Sequence, residues 1–142
     1  MKTVQQILES KSLKLLAVSP DATVYDALKL MAEKEVGALL VLEDEHLAGI
    51  FSERDYARKV ILHGKSSKET RVQEIMTAKV VCVAPLQTMD QCMALMTDKR
   101  VRHLPVIDNN KVVGIISIGD AIKEVIADQQ FQINQLEQYI RS

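Results

Sequence analysis

Two short strings carry the residues best placed to do chemistry. Gly49-Ile50-Phe51-Ser52-Glu53-Arg54-Asp55 returns 65 residues later as Gly114-Ile115-Ile116-Ser117-Ile118-Gly119-Asp120. In each, a glycine opens an apolar run of strand length, a serine closes it, and an aspartate follows three residues after the serine. A serine at a helix start leaves backbone N–H groups pointing outward, with the positive end of the helix dipole behind them. Such an end receives phosphate. A carboxylate one turn in accepts both hydroxyls of a ribose, as the acidic residue of dinucleotide folds does. Ser-x-x-Asp is equally an ordinary capping box, complete without any ligand.

The other reactive side chains do not assemble. His46, His63 and His103 fall in a turn, a linker and a strand start, with no local Cys, Ser or Asp constellation. A nucleophile or acid–base pair would need such an orienting partner. No P-loop, GxGxxG or HExxH string occurs, so catalysis is not expected. Cys82 and Cys92 show no CxxC spacing and no ligand cluster, and read as two buried, reduced thiols.

Helices and strands are needed to hold the twin strings. Thr3–Ser10 places Val4, Ile7 and Leu8 on one face of a short helix, and Leu13–Val18 reads as a strand. Thr23 with Asp26 resembles a capping box before an amphipathic helix over Thr23–Lys34, which Gly37 is expected to end. Ala38–Leu42 and Leu47–Phe51 flank a charged turn as a hairpin. Ser52 then caps a helix from Glu53 to about Leu62, with Tyr56, Ala57, Val60 and Ile61 facing inward. His63–Lys68 is polar and contains Gly64, as a linker would.

The plan then repeats. Val72–Met76 matches Val4–Leu8, Val80–Val83 is a strand, and Thr88 with Gln91 makes a proper capping box ahead of Cys92, Met93, Leu95 and Met96. Leu104–Ile107 and Val112–Ile116 form the second hairpin, and a final helix follows Ser117. From about Lys14 to Ile61 the halves align without a gap at an offset of 65, with roughly one pair in three identical. Pro20/Pro85, Thr23/Thr88, Met31/Met96, Val41/Val106, Gly49/Gly114, Ser52/Ser117 and Asp55/Asp120 belong to that series. Before Lys14 the offset becomes 68, so the first copy carries three extra residues near Ser10–Ser12. An internal repeat of this kind dictates the architecture. Each half, about fifty residues, buries too little alone, and two halves are expected to share a core.

Composition excludes several classes. The chain has 142 residues, about one domain by length. Eighteen basic and nineteen acidic side chains give no net charge to draw it onto nucleic acid. The absence of Trp argues against a stacking platform for single strands. The longest apolar runs fall far short of a membrane span, and the N-terminus has no signal pattern. A cytoplasmic protein is expected.

Ser19-Pro20-Asp21-Ala22-Thr23 and Gly49–Asp55, with Val101-Arg102-His103-Leu104-Pro105-Val106-Ile107 and Gly114–Asp120 in the second copy, resemble the CBS domain family. Two copies in tandem, from about Thr3 to Asp128, resemble a CBS pair, or Bateman module. Ser52-Glu53-Arg54-Asp55-Tyr56-Ala57-Arg58 also resembles a segment of stand-alone bacterial CBS-pair proteins. The resemblance implies an α/β (α+β) fold of two pseudo-twofold-related repeats packed by their sheets. Repeats would span 3–62 and 71–127, with a linker at 63–70 and a helical extension at 128–142.

It further implies a regulatory module that binds AMP, ADP, ATP, S-adenosylmethionine or NAD(H) in inter-repeat clefts and signals to a partner protein. Asp55 and Asp120 would hold ribose. Ser52, Arg54, Arg58 and Lys59 in the first copy, and Arg102, His103, Ser117 and Gly119 in the second, would serve phosphate. Val18, Val36 and Ala38, and Val83 and Val101 beside His103, are expected to line the adenine slots. Each half carries cations the other lacks, so two non-equivalent sites are expected. Beyond the repeat, Ile122, Val125, Ile126, Ile133, Leu136 and Ile140 form a heptad-like stripe, with an interruption expected at Asp128-Gln129-Gln130. A homodimer is the economical way to cover it, the alternative being a tail that folds back on its own domain. A structural adaptor dimer without a nucleotide is the competing reading.

Overall fold

The computed structural model describes residues 1–11 and 15–141. Leu13 and Lys14 of the expected first strand, and Ser12 of the three-residue insertion, lie outside the described residues.

The elements run α1 (Val4–Lys11), β1 (Ala17–Val18), α2 (Val24–Lys34), β2 (Ala38–Glu43), β3 (His46–Ser52), α3 (Glu53–Asp55), a π-helix (Tyr56–Ile61), α4 (Val72–Ile75), α5 (Met89–Lys99), β4 (His103–Asp108), β5 (Lys111–Ser117) and α6 (Ile118–Arg141). They form a mixed α+β fold with two small sheets, β1-β2-β3 and β4-β5. Two compact units result: Lys14–Val81 with Asp108–Val113, and Met1–Leu13 with Cys82–Ile107 and Gly114–Ser142.

In the unit built on the first repeat's hairpin, β1 runs parallel to β2 through the pairs Ala17–Leu40 and Val18–Val41. β3 returns antiparallel, with Ala38 opposite Ser52. Leu39, Val41 and Phe51 point from this sheet into a core with Val24, Ala27 and Met31 of α2, Val60, and Val72 and Ile75 of α4. α4 is locked onto the start of α2: Val24 N donates to Thr70 O (2.9 Å), and Val72 N to Ala22 O (2.8 Å).

The other unit repeats this lock with α1. Met89 N donates to Lys2 O (3.0 Å), and Val4 N to Gln87 O (2.8 Å). Bridges Thr23–Arg71 and Thr3–Thr88 mark the same joint in the two units. The leading helix of each sequence repeat therefore packs with the body of the other repeat. α6 packs on α5 and buries Ala121 and Glu124.

Several expectations need correction. α2 stops not at Gly37 but at Glu35, which adopts a left-handed φ of 54° while its N–H and that of Val36 reach back to α2 carbonyls. Val80–Val83 contributes only an isolated parallel bridge, Val83 to Val106, in place of a strand. The helix after Ser52 is α-helical for three residues and then a π-helix. Along it Tyr56 and Val60 face inward, whereas Ala57 and Ile61 are exposed. α6 runs unbroken through Asp128-Gln129-Gln130, since all three residues are tolerated in a helix interior and none removes a backbone donor. Cys92 is buried, whereas Cys82 is half-exposed. Within the expected linker, Tyr25 N donates to Ser67 O (2.9 Å) and Thr70 is buried, which leaves the linker reading untouched.

Candidate functional site

The two Ser-x-x-Asp corners adopt the same local geometry. At the first, Ser52 N and Oγ both donate to Asp55 Oδ2 at 3.0 Å, and Asp55 N donates to Ser52 Oγ at 3.2 Å. At the second, Ser117 N and Oγ donate to Asp120 Oδ2 at 2.8 and 3.0 Å, and Asp120 N donates to Ser117 Oγ at 3.2 Å. Each is a complete reciprocal cap. Each also holds a carboxylate fixed where a strand ends and a helix begins.

Their surroundings differ. Asp55 is 7% exposed, and its second oxygen is taken as well. Thr77 Oγ1 donates to Oδ1 at 3.0 Å, and Lys59 Nζ lies 3.1 Å away. Lys59 also donates to Ile75 O, so it is committed to protein partners. Asp120 receives Lys11 Nζ at 2.8 Å, again on Oδ2, and the same Nζ donates to Ile115 O at 3.0 Å. Burial pushes the Asp120 carboxyl up, but the hydrogen bonds from Lys11 and Ser117 and the Lys11 charge outweigh it and hold it below its ordinary 3.8. His103, at the start of β4, is held below its ordinary 6.5 by burial; Asp120 opposes this, while Lys11 and Arg102 add to it. Its imidazole is neutral at physiological pH.

The remaining predicted residues fall around these corners. Arg54 and Arg58 are exposed beside Asp55, on α3 and the π-helix. Ala38, buried, stands opposite Ser52 on β2, while Val18 and Val36 are half-buried at the edge of the same core. In the other unit Val83 is buried and bridged to Val106. Val101 is half-buried after α5, and Arg102, exposed, receives Ile118 N on its carbonyl at 2.9 Å. A Cβ at Gly119 would meet only Ser117 Oγ, at 3.5 Å. Among the described residues nothing else comes within 4 Å of that position.

Lys11 and Thr77 are not among the predicted residues. Both lie in or just after the short leading helices, and only the exchange of those helices brings them to the aspartates. The 68-residue offset between the leading segments was the available signal, because it separates them from the body of each repeat. Among the described residues no His/Cys/Asp/Glu group could hold a metal ion, and no helix is long and apolar enough to cross a membrane.

A chain that repeats one α+β half and sets a capped carboxylate at the same corner of each is a tandem-repeat module. It belongs to the CBS domain family, whose model matches residues 5–62 and again 72–127. The mitochondrial CBS domain-containing protein CBSX3 of Arabidopsis thaliana is 41% identical over 98% of this chain and 72% of its own length. A solved CBS-domain protein from Burkholderia ambifaria MC40-6 is 58% identical, with a TM-score of 0.86, over 90% of this chain and 96% of that one. The CBS domain pair of protein MJ0100, solved in complex with 5′-methylthioadenosine and S-adenosyl-L-methionine, shares the fold at 23% identity and a TM-score of 0.78 over 91% and 98% of the two chains.

Proposed function

We propose that this CBS pair is a regulatory module, not an enzyme, which binds adenosine-containing nucleotides of the AMP, ADP, ATP or NAD(H) kind and signals to a partner protein. The observation that carries the reading is the twin corner. In both units a serine cap fixes an aspartate beside the start of a helix, where a carboxylate can take ribose hydroxyls and helix N–H groups can take phosphate. Asp55 and Asp120 hold ribose in this reading. Ser52, Arg54 and Arg58, and Arg102, His103, Ser117 and Gly119, serve phosphate, and Lys59 joins them only by giving up its bonds to Asp55 and Ile75. Val18, Val36, Ala38, Val83 and Val101 supply the apolar walls. The adenosine ligands of MJ0100 support the ligand class. A cytoplasmic site of action belongs to the proposal, set beside a relative that is mitochondrial.

Calorimetric titration of ligand-stripped protein with AMP, ADP, ATP, NAD(H) and S-adenosylmethionine tests it. Losing a charged hydrogen-bonding partner costs about 1.5–3 kcal/mol, so Asp120→Ala or Asp55→Ala should weaken the bound nucleotide roughly ten- to a hundredfold. Circular dichroism must show the variant folded, because each aspartate is also a cap. One observation favours a second reading, an adaptor homodimer without nucleotide: Asp55 is already saturated by Ser52, Thr77 and Lys59. Failure of all five ligands to bind would select that reading.

A further inference from the structure

We propose, resting on the nucleotide reading above, that Lys11 makes the Ser117–Asp120 corner select adenosine ligands with an anionic 5′ substituent over neutral adenosine or a cationic 5′-sulfonium. Lys11 ends α1, and its Nζ reaches Asp120 Oδ2 at 2.8 Å and Ile115 O at 3.0 Å, 109 residues away in sequence for the aspartate. At the first corner, among the described residues, Asp55 meets the neutral Thr77 hydroxyl and Lys59 from the π-helix that follows it.

The contacts from Lys11 and Ser117 all fall on Oδ2, and an ionised carboxylate has acceptor sites on both oxygens. In this proposal a ribose held by Asp120 turns its 5′ substituent toward Nζ, which a flexible four-carbon stem can swing to follow. A phosphate there exchanges one charge-assisted bond for another. Neutral adenosine competes with Lys11 for the carboxylate and offers Nζ nothing in return. A sulfonium sets a like charge beside Lys11 and Arg102. His103, half-buried and close enough to feel Asp120, Lys11 and Arg102, adds no compensating negative charge.

Calorimetry with AMP, adenosine and S-adenosylmethionine on the wild-type, Lys11→Gln and Lys11→Arg chains tests this. The His103 imidazole NMR signal reports occupancy of this corner. AMP should shift that signal and bind more tightly than the other two. Lys11→Gln should weaken AMP roughly ten- to a hundredfold while leaving adenosine unchanged or tighter, and Lys11→Arg should restore the preference. AMP binding that shifts His103 and needs Asp120, yet survives Lys11→Gln unchanged, overturns the inference and leaves the nucleotide reading intact. Equal losses of AMP and adenosine in Lys11→Gln also overturn it, marking Lys11 as structural. No binding of any adenosine compound overturns both.

Discussion

Asp120, through Lys11 and Ser117, and His103, through burial, tie the stability of the second corner to pH. The folded Asp120 carboxyl lies below its ordinary 3.8, so its contribution is complete above that value and is lost as pH falls through the lowered folded value. The folded His103 imidazole lies below its ordinary 6.5, so its contribution is present above 6.5 and is likewise lost on acidification through its folded value. Removing Lys11 relaxes the Asp120 shift, while burial still holds His103 low. Lys11→Met should lower stability at neutral pH by roughly 1.5–3 kcal/mol, the worth of a hydrogen bond to a charged group. The gap from wild type should narrow once pH falls below 3.8. Thermal melts across that range check it, and a gap that stays constant into acid would remove the ion pair from the account. The capped aspartates were legible in the sequence because Ser-x-x-Asp is a local pattern that occurs twice. Their counter-charges were not, because Lys11 and Thr77 reach them only through tertiary pairing.

At the scale of elements, the twin glycines show how alike the units are and where they part. A Cβ at Gly49 would stand 2.6 Å from Thr77 O and 2.9 Å from Met76 Sδ. Ile50 and Thr77 exchange backbone hydrogen bonds of 3.0 and 2.9 Å at that joint, so the carbonyl cannot retreat without breaking it. A Cβ at Gly114 would meet the methyl groups of Leu8, the nearest at 2.6 Å, on a side chain that can rotate. Gly49→Ala should therefore cost about 1–3 kcal/mol, in the range of core overpacking, and Gly114→Ala clearly less. Urea denaturation of the two variants measures the difference, and equal costs would contradict the asymmetry. Helix starts were readable from Thr23, Thr88 and the serines, whose side chains do cap as expected. Helix ends were less so. Both α2 and α5 terminate on non-glycine residues in left-handed conformation, Glu35 and Arg100, so the usual glycine signal is missing. The π-helix was not readable, since the spacing of Tyr56 and Val60 fits an ordinary α-helix as well.

For the whole molecule, the repeat fixed the architecture at sequence level, while the exchange of α1 and α4 between repeat bodies could be seen only in three dimensions. What the fold does not use is the far half of α6. A 24-residue helix is about 36 Å long, and from Gln129 to Arg141 every residue is exposed. Phe131, Leu136, Tyr139 and Ile140 are each more than 60% exposed, and Ile122, Ile126 and Ile133 continue the apolar stripe toward the body of the helix. An isolated helical segment of this length is marginal in water, and a contiguous apolar stripe in solvent marks an interaction surface. Because Ile126, Ile133 and Ile140 recur every seven residues with Leu136 between the last two, a second copy of the same helix offers a matching seam. The proposed homodimer should appear as twice the chain mass by light scattering at micromolar concentration. Ile133→Glu with Leu136→Glu places charges in the seam and should shift that mass toward the monomer, with the near-ultraviolet and melting signatures of the two units retained. A wild-type chain that is monomeric under those conditions would refute the dimer. A dimer unaffected by the paired substitutions would move the interface off the tail and onto the body of the units.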